Sequence, residues 1–235
     1  MKKWMFLLMM GGMFWACSSD SSDPDPEPVM EQAKLTTFNY LPVAFAIDWH
    51  VNDEAYQTGQ AYAFGGGSTV KWEQGKNSLK LEVLNTTDKS LVVSELESFD
   101  DGEEYIALAF GTAGDPELEV LDKDLTPPAA GKVRVRFFHA LDGVGAVDIY
   151  LGGETAGFKK VSNLEYDDET DYMDVELSEL TGQVVYTPTG VLPNEQTDIL
   201  RYSDNQSNEA DKIYTHVLAP KMNEFSKAGV FILNH

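Results

Sequence analysis

His139 and Asp148 stand nine residues apart in the stretch 131–153, GKVRVRFFHALDGVGAVDIYLGG. A histidine near a carboxylate is two thirds of a hydrolytic triad, which also needs a Ser or Cys nucleophile in hydrogen-bond reach and an oxyanion hole. No G-x-S-x-G elbow occurs, and Ser68, although it follows Gly65, Gly66 and Gly67, lacks that context. The same glycine run is not followed by Lys-Ser/Thr, so it is no phosphate loop and reads as a flexible turn. The chemistry expected of Asp48 and Asp148 is structural. Each accepts backbone N–H groups at a turn and fixes strand register, with His139 a partly buried structural residue.

Metal chemistry has few candidates. The four histidines, His50, His139, His216 and His235, show no ligand spacing. With Cys17 the single cysteine, neither an intrachain disulfide nor a thiolate cluster can form. Asp167, Asp168, Glu169 and Asp171, and separately Asp100, Asp101, Glu103 and Glu104, offer the hard oxygen ligands that calcium prefers, but without EF-hand spacing. Solvated acidic loops are the expectation, with calcium as the alternative and no other cofactor. The chain carries 39 acidic against 17 basic residues, so the phosphates of a nucleic acid would be repelled. Trp49, Tyr56, Tyr62, Phe64 and Trp72 crowd one region. Exposed, they would stack on sugar rings, but core packing or inter-domain contact is the expected use.

The N-terminus reads as an address. Lys2 and Lys3 precede twelve uncharged residues, Trp4 to Trp15, a run too short for a lasting membrane span. Ala16-Cys17 is similar to a bacterial lipobox, where the cysteine is acylated and becomes the new terminus. Phe14 and Trp15 depart from the residues usual before that junction. The segment after Cys17, SSDSSDPDPEP, has no core-forming residue and reads as a solvated tether. The organisation expected is a leader over 1–16, a disordered acidic tether over 17–32 and a body held at the membrane by its lipid. Ser18 is compatible with onward sorting to the outer membrane of a Gram-negative envelope.

The body repeats. At an offset of 100, Phe38 meets Phe138, Leu41 meets Leu141, Ala46 meets Ala146 and Asp48 meets Asp148 without a gap. Between the copies LTPPAAG, 125–131, stops strands and stiffens a linker. Period-two alternation predicts strands at 78–84 and 90–97, a nearly continuous apolar strand at 105–110, and a closing strand at 117–121. The second half predicts seven strands, at 133–139, 146–151, 172–177, 183–187, 198–202, 213–218 and 229–233. With no sustained helical period, the fold class expected is all-β. Two tandem immunoglobulin-like antiparallel sandwiches are predicted, over 33–124 and 132–235. Tyr105 and Tyr214 each open an apolar strand after an acidic turn, the placing of a tyrosine corner.

The stretch RFFHALDGVGAVDIYL, 136–151, resembles the opening of the bacterial DUF4397 family, whose pattern runs roughly V-R-x-x-H-A-S-P-D-A-P-A-V-D-V-Y-V-D-G. His139, Ala140, Ala146, Val147, Asp148 and Tyr150 match it, and Leu141-Asp142 replaces Ser-Pro. Tyr214-Thr215 and Tyr105 resemble its later tyrosine signature. In the first copy Asn39 replaces the histidine and His50 the tyrosine. The resemblance implies secreted or lipid-anchored proteins with immunoglobulin-like sandwiches, often in tandem, and no established activity. The function expected is a non-enzymatic envelope lipoprotein that presents its loops to an envelope protein or a glycan. A surface polysaccharide hydrolase and a structural spacer are the alternatives.

Overall fold

The computed structural model describes residues 33–55, 63–71, 78–203 and 207–235. Cys17 and the tether, with Tyr56, Tyr62 and Trp72, lie outside them. Among the described residues of the first half, β1 (Lys34–Asn39), β4 (Gly67–Lys71), β7 (Glu104–Gly111) and β8 (Pro116–Asp122) form one sheet in the order β4-β1-β7-β8. A second sheet runs β3 (Glu54–Ala55), β2 (Ile47–Val51), β5 (Ser78–Asn85) and β6 (Leu91–Ser98). In the second half, β12 (Met173–Glu176), β9 (Lys132–His139), β15 (Ile213–Lys221) and β16 (Glu224–Asn234) form the third sheet. The fourth runs β11 (Lys159–Leu164), β10 (Val147–Leu151), β13 (Val184–Pro188) and β14 (Leu200–Tyr202). Among the described residues, helix is confined to α1 (Leu177–Thr181) and a 3₁₀ turn at Ala156–Phe158.

The all-β, sandwich-like architecture is the one the alternation predicts, with corrections. The pairing is mixed: β1 lies parallel to β7, and β9 parallel to β15. Parallel neighbours need a long crossover, and the strands between them, β2 to β6 and β10 to β14, fill it, so strand patterning alone does not expose the pairing. Of the strand expected over 172–177, β12 takes Met173–Glu176 and Leu177 already opens α1, where Glu176 and Glu179 close a capping box. The strand β11 went unseen because KKVSNL buries only Val161 and Leu164. The glycine turn is also shorter than expected: Gly65 turns at φ +78, but Gly67 already belongs to β4. A Cβ there would lie 2.6 Å from the Phe38 ring and 2.5 Å from the Thr37 carbonyl oxygen, so only glycine lets the two strands close up.

Three cores stack the four sheets. Leu35, Trp49, Leu81, Tyr105 and Ala107 pack between the two sheets of the first half, and Val135, Phe137, Ile149, Tyr186 and Leu218 between those of the second. The third core joins the halves: Tyr40, Ile106, Leu108, Phe110 and Leu121 meet Phe138, Ala140, Val217, Ala219 and Leu233. This is why YIALAF is apolar throughout. Tyr105, Ala107 and Ala109 face inward, while Ile106, Leu108 and Phe110 face the other half. Phe110 meets Phe138 edge to face at 5.3 Å, and Tyr40 lies 4.7 Å from Phe231. Trp49 thus goes to the first core and Phe64 to the contact between halves, 5.5 Å from Phe231.

The segment 123–131 has no strand, yet it is anchored. The Ala129 N–H donates to Asp174 Oδ2 at 2.8 Å and the Gly131 N–H to Asp211 Oδ1 at 2.7 Å. On β8, burial pushes Glu119 up to about 7, helped by the carboxylates of Asp167, Glu169 and Glu97. Its folded value lies above the ordinary 4.5, so the unfolded chain ionises first and stability falls as pH rises from about 4.5 to about 7. Glu119→Gln should flatten that decline and raise the melting temperature at pH 8 by about 2–4 °C, since partial exposure holds the gain near ~1 kcal/mol. Melts across this pH range check it, and an unchanged slope would count against the assignment.

Candidate functional site

His139 and Asp148 do not form a catalytic pair. His139 is fully buried rather than partly so, and both its ring nitrogens are engaged. The Leu141 N–H donates to Nδ1 at 3.2 Å, and Nε2 lies 2.9 Å from the Gly145 carbonyl oxygen, which assigns the proton to Nε2. Burial holds the ring below the usual histidine range, so it stays neutral. It closes the 141–146 turn. In the first half the Leu41 N–H donates to Asn39 Oδ1 at 3.0 Å, so asparagine does there what the imidazole Nδ1 does here.

Asp148 serves its neighbours and not its own turn. Its carboxylate accepts the Asn163 N–H and the Gly190 N–H, each at 3.0 Å, and pairs with Lys159. Asn163 has φ +55 where the β10–β11 register shifts, and Gly190 has φ +81, so one carboxylate holds two irregular turns in place. Burial alone would raise its pKa, but Lys159 and the two N–H groups bring it below the usual carboxylate range. The Asp48 carboxylate takes a bond from the Lys89 ammonium. The hydroxyls of Tyr105 and Tyr214 accept backbone N–H bonds from Asp100 at 3.0 Å and from Glu209 at 2.9 Å, each five residues back.

His216 lies buried between Tyr202 and Asn208, and His235 beside Thr215. Among the described residues no three His, Cys, Asp or Glu side chains converge as a metal site. Residues 168–171 of the acidic run instead border a cavity with Arg134 and Arg136.

A wide concavity lies at the loop end of the second half. The turn closed by His139 supplies Leu141, Asp142 and Val144, the segment after β13 supplies Glu195, Ile199 and Arg201, and the β15–β16 hairpin supplies Lys221, Phe225 and Lys227. Together they bound an open groove of about 930 Å³. The walls are set by local bonds. The Asn194 N–H donates to Asp198 Oδ1 at 2.8 Å, and Asp198 Oδ2 takes Arg201 Nε–H at 2.8 Å, which orients the guanidinium. Phe225 is 39% exposed and leans on Phe64 at 5.1 Å. A second hollow of about 380 Å³, lined by Val43, Phe45 and Phe64, lies on its other side. An aromatic ring held from behind between two hollows can stack on a ligand, and the flanking Asp, Glu, Lys and Arg can take its hydrogen bonds. Phe225 carries only a faint signal in the sequence, an aromatic residue two positions after the turn residues Met222-Asn223.

A family model described as a domain of unknown function, DUF4397, matches residues 33–150. The chain belongs to the DUF4397 family. The match covers the first half and continues through β9 into β10, ending at Tyr150, so the motif around His139 and Asp148 falls inside the DUF4397 region. No curated protein matches the chain. Among solved structures it is similar to a carbohydrate-binding module, CBMbc of family CBM26, from Eubacterium rectale Amy13K, solved in complex with maltoheptaose. The identity is 12% over 84% of this chain and 96% of that one, with a TM-score of 0.26. At that score the likeness has no bearing on how the DUF4397 chain works.

Proposed function

We propose that this protein is a non-enzymatic envelope lipoprotein that binds a glycan in the groove around Phe225. The observation that carries this reading is the exposed Phe225 ring, braced by Phe64, at the mouth of a groove that mixes apolar and hydrogen-bonding side chains. Sugars present apolar C–H faces edged by hydroxyls, and a rigid aromatic platform with nearby charged acceptors and donors suits them. His139 and Asp148 are committed to holding turns, which favours binding over hydrolysis.

A glycan array probed with the purified chain and with Phe225→Ala tests the reading. Binding by the native chain and at least tenfold weaker binding by the variant is the expected result. Turnover of a polysaccharide panel would overturn the non-enzymatic part. The cellular setting is proposed from Cys17 and the Ser/Pro/Asp segment after it. Acylation at Cys17 would hold the body at the outer membrane of a Gram-negative cell, because more than one acyl chain suffices for stable anchoring. Cys17→Ala should move the protein to the soluble fraction, and membrane retention would contradict the anchor.

A further inference from the structure

The turns 41–46 and 141–146, which the offset of 100 aligns, line adjacent hollows on either side of Phe225. Leu141, Asp142, Gly143 and Val144 belong to the wide groove, and Val43, Ala44, Phe45 and Ala46 to the hollow of about 380 Å³. Phe225 borders both. An exposed ring between two equivalent turns suits a ligand that itself repeats, one unit lying in each hollow and another across the ring.

The walls of the smaller hollow are set before a ligand arrives. Asn39 Oδ1 takes the Leu41 N–H at 3.0 Å, the Val43 N–H donates to the Leu41 carbonyl at 2.8 Å, and the Ala46 carbonyl accepts the Thr86 N–H at 3.0 Å and the Thr86 hydroxyl at 2.8 Å. Val43 and Phe45 pack their partly buried side chains on the first core. From the other side the β15–β16 hairpin brings Met222 so near that a Cβ on Gly65 would lie 3.1 Å from its methyl. The cleft thus has one wall from each half, and a preformed site gives up little freedom on binding.

The two hollows differ in chemistry. Asp142, Glu195, Asp198, Arg201, Lys221 and Lys227 give the groove six ionisable side chains. Among the described residues lining the smaller hollow none is ionisable, and Asn223 is the one polar side chain. A sugar hydroxyl set there against Val43, Phe45 and Met222 would lose water without gaining a partner, whereas a methyl group gains by leaving water. The Asn223 amide can donate to a carbonyl oxygen. A methyl joined to a carbonyl is an acetyl group.

Resting on the glycan reading above, we propose that the ligand is a linear oligosaccharide that crosses Phe225, with its hydroxyl-rich units in the groove and an acetylated unit in the hollow between the 41–46 turn and the hairpin.

An array of matched oligosaccharides of one to six units, chito- against cello- and acetylated against deacetylated xylo- and manno-, probed with the purified chain, tests it. In at least one series the acetylated chain of three or more units should bind at least tenfold more tightly than its unacetylated counterpart and than its own single unit. Ala44→Asp with Met222→Ser should cut that preference to less than twofold. Both positions are exposed, Met222 by 47%, so the fold can bear the change. Leu96→Ser, on β6 and 72% exposed, should leave the preference as it is. Equal binding of matched chains, a single unit held as tightly as the chain, or a preference that survives Ala44→Asp with Met222→Ser would each overturn the proposal. Retention of other glycans alone, lost in Phe225→Ala, would overturn it and leave the glycan reading standing, whereas no retained glycan would end both.

Discussion

Phe110→Ala is expected to cost about 3–5 kcal/mol and to lower the unfolding midpoint of both halves together. The ring is fully buried, meets Phe138 edge to face and lies 6.0 Å from Tyr166, so its contacts cross from β7 into the second half. Truncation opens a cavity between two sheets that each pack a second core on their other face. Neither half can collapse around it without disturbing its own interior. Urea titrations followed by tryptophan fluorescence, which samples no residue of the second half because the last of the four tryptophans is Trp72, and by far-ultraviolet circular dichroism, which reports both halves, should shift in step. A circular dichroism transition that stays put while the fluorescence moves would show two independent domains.

The second large effect belongs to Asp148. Asp148→Ala should destabilise by about 3–5 kcal/mol, because it strands the Lys159 ammonium and the N–H groups of Asn163 and Gly190 around a buried position. Asp48→Ala should cost less than about 1 kcal/mol, since its partner Lys89 is 60% exposed. Asp48 and Asp148, one of the four identities at the offset of 100, would then differ severalfold in worth. The pH behaviour follows from the direction of the shift. Asp148 is more acidic folded than unfolded, so its contribution is complete above the unfolded value and is lost as pH falls through the folded one. Denaturant midpoints of the two alanine variants, compared with the native chain at neutral and acid pH, check both statements. The Asp148→Ala variant should show the smaller loss on acidification.

These two residues also mark how far the sequence could be followed. The ungapped offset of 100 carries β2 onto β10 residue for residue and places β1 within β9. That part was legible because strand faces and turn donors constrain side-chain type. The His139 and Asn39 positions look unrelated as letters, yet each offers an acceptor to the N–H two residues on, and only geometry shows the shared task. The third core was hidden in plain alternation: strands apolar on both faces signal burial on both, but not which sheet lies against them. Nothing in the letters VRVRFF marks Arg136 as buried, because its burial beside a cavity depends on where Asp122, Asp124 and residues 168–172 lie.

Strand direction has a last consequence. Lys34, Asn234 and His235 border one small cavity at the start of β1 and the end of β16. The Phe225 groove lies past the ends of β9 and β15, at the opposite pole. The nine residues of β15 alone span roughly 30 Å at about 3.3 Å each. The described body therefore begins at one pole, and the groove opens at the other. A body hung from its N-terminus would turn its Arg136 cavity back toward the support and hold Phe225 outward, so one molecule would have an inner and an outer face.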